Sequence, residues 1–177
     1  IEMTYLNVER EEKTVTIPLE NSIRPENPRE PSESEQVVAS DAFYEITTQD
    51  EEIYYYVIKN ASGEVVLQGE MHGEKPAMTY VEPKVLEICL GDADNVWSER
   101  WYYHTEKDEL SPLYNNVVFR RGEVIVFMSW SPSHKPAAYV QNMFETEYNE
   151  MIEFDDDGLR EPASISLDEN GQVQITY

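Results

Sequence analysis

The chain of 177 residues carries 13 basic and 36 acidic side chains, a formal net charge of -23, which repels nucleic acid and anionic lipid headgroups and leaves a basic protein or cations as electrostatic partners. Its 40% hydrophobic residues suffice for a core, while the single cysteine, Cys89, excludes an internal disulfide framework and a cysteine-based zinc site. No run approaches the roughly 18 apolar residues that cross a bilayer as a helix.

Residues 14 to 20 (TVTIPLE) read as a strand. The stretch that follows carries Pro25, Pro28 and Pro31 among charged and small polar residues, a density of proline that blocks both helix and central strand. Residues 1 to 36 are therefore expected to form an N-terminal strand and extended arm, and residues 37 to 177 a single all-β domain. The ordered body is expected to begin in Asp41 to Thr48. Residues 53 to 71 (IYYYVIKNASGEVVLQGEM) form the clearest hairpin, with a turn at Asn60 to Gly63, where Asn, Ser and Gly supply positive φ and local hydrogen bonds.

Residues 84 to 130 have the outline of a β-meander, with runs at Val85 to Leu90, Val96 to His104, Leu113 to Arg120 and Glu123 to Trp130. Strand alternation places Trp97, Glu99, Trp101 and Tyr103 on one face and Ser98, Arg100, Tyr102 and His104 on the other. Cys89, inside an apolar strand, reads as a small core residue. For residues 137 to 154, helical spacing of Tyr139, Met143, Phe144 and Ile152 competes with a strand over 138 to 144; the strand is favoured. The C-terminal SISLDENGQVQITY reads as a hairpin turning at Asp168 to Gly171.

Two stretches share an order of features: Ser62 to Val81 and Arg121 to Val140 each hold Gly-Glu-Val, an apolar strand, Lys-Pro-Ala and a closing Tyr-Val, offset by 59 residues at the Gly-Glu-Val and 60 at the Lys-Pro-Ala. The pattern is compatible with an internal duplication. The expected fold is all-β, an antiparallel meander forming a sandwich or irregular barrel. Propeller-like β-hairpin repeats are the alternative, disfavoured by the length that four blades of about 40 residues require.

Sites are harder to read. Trp97, Trp101, Tyr103 and Trp130 form either a core face or a platform on which sugar rings stack, and Trp97, next to the loop 91–95 (GDADN), is the best candidate for exposure. The binding site singled out is Asp92, Asp94, Asn95, Trp97 and Trp101, where carboxylates and an amide are close in sequence to indoles. The acidic loops 91–95 and 154–158 resemble calcium ligands but complete no EF-hand; solvated turns are the favoured reading, and no cofactor is expected. His72, His104 and His134 are too dispersed to imply a ligand set. No Gly-x-Ser-x-Gly elbow is present, and among 36 acidic residues no catalytic carboxylate pair can be singled out.

The runs YYYVIKNASGEVVLQGEM and LEICLGDADNVWSERWYYHTEKDELSPLYNNVVF resemble uncharacterised secreted or lipid-anchored domains of Gram-positive gut bacteria, with a similar order of aromatic hairpin, Gly-x-x-x-Asn loop, Tyr-Tyr strand and acidic turn ending in Ser-Pro. The resemblance implies an all-β body and an extracytoplasmic location, with an anchor upstream of Ile1, and assigns no site residues. The expected function is a non-enzymatic surface binding domain for a glycan or a protein. A glycan-directed hydrolase and an acidic inhibitor that imitates nucleic acid towards a basic protein are the alternatives.

Overall fold

The structure, a computed structural model, describes residues 2–6, 12–16, 29–30, 32–155, 162, 164–168 and 172–176. It begins with a hairpin of β1 (Glu2–Leu6) and β2 (Glu12–Thr16). Three four-stranded antiparallel sheets follow in chain order: β3 (Gln36–Ser40), β4 (Tyr44–Thr48), β5 (Ile53–Lys59) and β6 (Val65–His72); β7 (Ala77–Glu82), β8 (Val85–Leu90), β9 (Glu99–His104) and β10 (Glu109–Leu110); β11 (Val117–Arg121), β12 (Val124–Trp130), β13 (Pro136–Asn142) and β14 (Glu150–Glu153). A last hairpin pairs β15 (Ser164–Leu167) with β16 (Val173–Thr176).

Within each four-stranded sheet the strands lie side by side in sequence order. The chain is therefore the expected all-β meander. Its sheets stay open and separate, so no barrel closes. They pack as successive layers, because each core cluster joins one sheet to the next. Ile46, Tyr56, Ile58 and Leu67 of the first sheet meet Leu86, Ile88 and Tyr103 of the second. Val85 and Tyr102 of the second sheet meet Tyr114, Ile125 and Met143. Val126, Met128, Ala138 and Val140 of the third meet Ile165, Val173 and Ile175 of the last hairpin. A sequential four-stranded meander packed on its successor is also how propeller blades are organised, the arrangement anticipated as the alternative.

The middle sheet is covered on both faces. That explains why β8 and β9 have little polar surface to offer: Leu86, Ile88, Trp101 and Tyr103 face the first sheet, while Val85 and Tyr102 face the third. Cys89 is buried in β8, as expected of a small core residue. Hydrogen bonds pin the layers at their turns. Asn60 Oδ1 accepts from Ser62 N, Ser62 Oγ and Glu64 N, which makes the expected turn, and Gly63 takes φ 85°. Asn60 Nδ2 crosses to Asp108 Oδ2 at 3.1 Å, and Tyr103 Oη donates to Asp108 Oδ1 at 3.0 Å. Between the second and third sheets, Lys107 Nζ pairs with Glu123 Oε1 at 2.6 Å and Arg120 Nη1 with Glu87 Oε2 at 2.6 Å.

Several boundaries differ from the sequence reading. β3 precedes Asp41, where the body was expected to start, and pairs with β4 through a bulge between Val37 and Ala39. The strand expected from Val96 begins at Glu99, because 91–98 is a hydrogen-bonded loop. β10 lies inside the stretch read as a turn. The ambiguous 137–154 stretch holds strands β13 and β14, so the favoured strand is what forms. The two Gly-Glu-Val stretches are not structural equivalents: the first supplies β6 and β7, which belong to different sheets, and the second supplies β12 and β13, which pair with each other. Of the expected strand 14–20, the expected arm, the acidic loop 154–158 and the last turn, residues 17–28, 31, 156–158 and 169–171 lie outside the described residues.

Where the arm rejoins the body, Arg29 stacks its guanidinium 3.5 Å over the Tyr55 ring and pairs with Glu35. Glu35 also accepts from Thr47 Oγ1 at 2.6 Å and Ser32 N at 2.9 Å. Arg29, then Thr47 and the Ser32 backbone, hold the Glu35 carboxyl at about 2, against an ordinary 4.5. A carboxyl lowered on folding stabilises the fold fully above its unfolded value, and the contribution disappears as pH falls through the folded one. Wild type should exceed Glu35→Gln in stability by about 1–2 kcal/mol above pH ~5, allowing for water around Arg29. In urea titrations across pH the gap should narrow between about pH 4.5 and 2; a gap constant with pH would show that the pair contributes nothing.

Candidate functional site

Loop 91–98 is built around one buried cation. Arg100, 5% exposed, donates Nη2 to Ala93 O (2.8 Å) and Asn95 O (3.1 Å) and Nη1 to Ser98 O (3.3 Å) and Val96 O (3.4 Å). Its Nε lies 3.8 Å from Glu87 Oε2. A guanidinium has five donors in a fixed fork, so four carbonyls converging on it leave the loop little freedom. Gly91, at φ 111°, permits the entry; a Cβ there would press on Ser98 Oγ, which donates to Asp92 O at 2.7 Å.

This loop divides the five residues singled out from sequence. Asp92 Oδ1 accepts from Asp94 N and Asn95 Oδ1 from Trp97 N, both at 3.0 Å, so these two side chains brace the loop's own backbone. Asp94 is exposed beside a separate groove with Glu87, Arg100 and Arg120. Trp101, in phase with Tyr103, packs against the core between the first and second sheets. Trp97 precedes the strand, escapes its alternation and stands 54% exposed. The set is thus not one site, and of the five only Trp97 opens onto a wide cavity between the second and third sheets. Among the described residues, no three His, Cys, Asp or Glu side chains gather as a metal cluster.

That cavity, about 560 Å³, lies where the second and third sheets part. Trp97 from the β8–β9 loop and Trp130 at the end of β12, 48% exposed, supply indoles to its lining. Leu113 and Asn115 come from the β10–β11 connection, Ser129 from β12 and Thr146 from the β13–β14 loop. Among the described residues, no Asp, Glu, Lys, Arg or His lines it. Phe127 stacks on Tyr139 with centroids 5.3 Å apart, and Tyr139 meets the exposed Tyr148 edge-on at 5.1 Å, continuing the aromatic surface.

The polar part of the lining is held rigidly. Asn116 adopts φ 57°, a left-handed conformation Asn tolerates better than most residues. It binds Met128 through its carbonyl (2.9 Å, from Met128 N) and through Nδ2 (3.2 Å, to Met128 O). Its Oδ1 is buried and accepts nothing among the described residues. Burial pushes the Tyr114 phenol up to about 12, so it stays protonated and donates to Met143 O at 3.0 Å while accepting from Gln141 Nε2 at 2.6 Å. Sequence reasoning included Trp130 in the aromatic set but not in the site, and it missed Asn116 and Gln141. Their only signal was position at a strand start and a strand end, which many polar residues share.

Truncations separate the two tryptophans. Trp97→Ala should leave stability within about 0.5 kcal/mol of wild type, as for an exposed side chain, whereas Trp101→Ala should approach the ~3–5 kcal/mol of a core tryptophan. Arg100→Met, which leaves Glu87 without one of its two cations and four carbonyls without donors, should cost roughly 3–5 kcal/mol. Urea denaturation of the three variants checks the order; a Trp97 variant as unstable as the other two would place that indole in the core.

Comparison of the chain with protein-family models, with curated proteins and with solved structures finds no match.

Proposed function

We propose that this chain is a non-enzymatic binding domain that holds a glycan in the cleft between Trp97 and Trp130. The carrying observation is the lining itself: two exposed indoles together with neutral amides and hydroxyls in a chain of net charge -23. Pyranose rings offer apolar C–H faces to aromatic rings and hydroxyl groups to amides, and a cleft with both kinds of group meets both needs. A hydrolase working through paired carboxylates would require acid and base on opposite sides of the scissile bond, and among the described residues the lining supplies neither. The domain is placed outside the cytoplasm on the resemblance to secreted and lipid-anchored domains, and an upstream reading frame with a plain cytosolic start directly before Ile1 would remove that placement.

Native gel electrophoresis through mixed-linkage β-glucan, galactomannan, xylan and polygalacturonate tests the binding. At least one polymer should retard the wild-type protein, and Trp97→Ala and Trp130→Ala should each weaken that retardation about tenfold or more without loss of fold. Retardation by none of the four, or equal retardation of wild type and both variants, would refute glycan binding in this cleft.

A further inference from the structure

Gln141 is 4% exposed and lines the cleft from the end of β13. Its amide has only one possible orientation. Nε2 lies 2.8 Å from the backbone carbonyl of Glu145, which can only accept, and 2.6 Å from Tyr114 Oη, whose own proton goes to Met143 O. Both Nε2 protons are therefore committed, and Oε1 is an acceptor fixed in place. Among the described residues nothing donates to it, yet it is not sealed from water. The cleft is the opening that Gln141 lines.

We infer that Gln141 is the specificity-determining residue of this cleft, selecting an uncharged glycan that donates a hydroxyl proton to Oε1. The inference rests on the reading of the cleft as a glycan site and narrows it to a chemical class. A ring bearing a carboxylate at that position would bring an acceptor to an acceptor, within a protein whose overall charge already repels anions. A neutral ring offers a donor to each acceptor it meets. A buried acceptor left without its donor penalises a ligand lacking the group far more than a missing apolar contact does. Gln141 does not reach this geometry alone: Tyr114 and the Glu145 carbonyl position it.

The test uses the full chain, the neutral polymers named above, an O-methylated form of whichever neutral polymer is bound, and polygalacturonate. Expected are binding of a neutral polymer, at least about tenfold weaker binding of its O-methylated form and of polygalacturonate, and a comparable loss in Gln141→Met with the neutral polymer. Should Gln141→Met fail to fold, the polymer comparison on the wild-type protein decides. If Trp97→Ala abolishes binding while O-methylation and a folded Gln141→Met leave it unchanged, the role of Gln141 is overturned and the cleft remains a glycan site. Polygalacturonate bound as tightly as a neutral polymer overturns the inference equally. If no polymer is bound, or the tryptophan variants bind as wild type does, the glycan reading falls and the inference with it.

Discussion

A guanidinium taken out of water has to recover its hydration from the protein, and around Arg100 that requirement shapes the loop that forms one wall of the cleft. Four backbone carbonyls and the Glu87 carboxylate replace the lost water. The same contacts hold loop 91–98 in one conformation. Because Trp97 sits on this loop, its exposure follows from the solvation of a charge three residues away. Glu87 in turn is shared with Arg120 of β11, so the ion group that braces the loop also ties the second sheet to the third. The two sides of the cleft are thus linked through one carboxylate.

The layering follows from simple alternation, and much of it was legible. From Glu99 to His104 the two faces of β9 were assigned as they occur, because a strand buried on both sides carries large apolar side chains at adjacent positions, Tyr102 and Tyr103 being the clearest pair. The same rule misled at Trp97. Phase was carried two residues past the true strand start, which joined Trp97 to Trp101 although the loop separates them. Asn60 announced its turn because its side chain can accept three local hydrogen bonds. β3 and β10 were not legible: one is a short apolar run beside the proline-rich arm, and the other is two residues in a charged turn.

The cleft was largely invisible in the sequence for a different reason. Trp97, Asn116, Trp130 and Gln141 come from separate loops and strands of two sheets, and no spacing rule connects them. The apparent duplication offered a false guide, since its two copies occupy different topological places. An acidic composition also drew attention to Asp92 and Asp94, where the sequence is most charged, and away from the neutral groups. In a chain with 36 carboxylates, a cavity with none of them among its described lining residues is the unusual feature. It can be recognised only after folding has sorted polar groups by position.

Both walls of the cleft are held by contacts within the protein itself. Trp97 is carried by a loop wrapped on Arg100, Asn116 is bonded twice to Met128, and Gln141 is committed through both amide protons. Binding to such a surface loses little protein conformational entropy, so more of the contact energy appears as affinity. The exposed indoles of Trp97 and Trp130 supply area without demanding one orientation. The fixed acceptor of Gln141 supplies orientation with little area. In the proposed glycan site the indoles would supply contact area and Gln141 a fixed direction, each held by a different element of the fold.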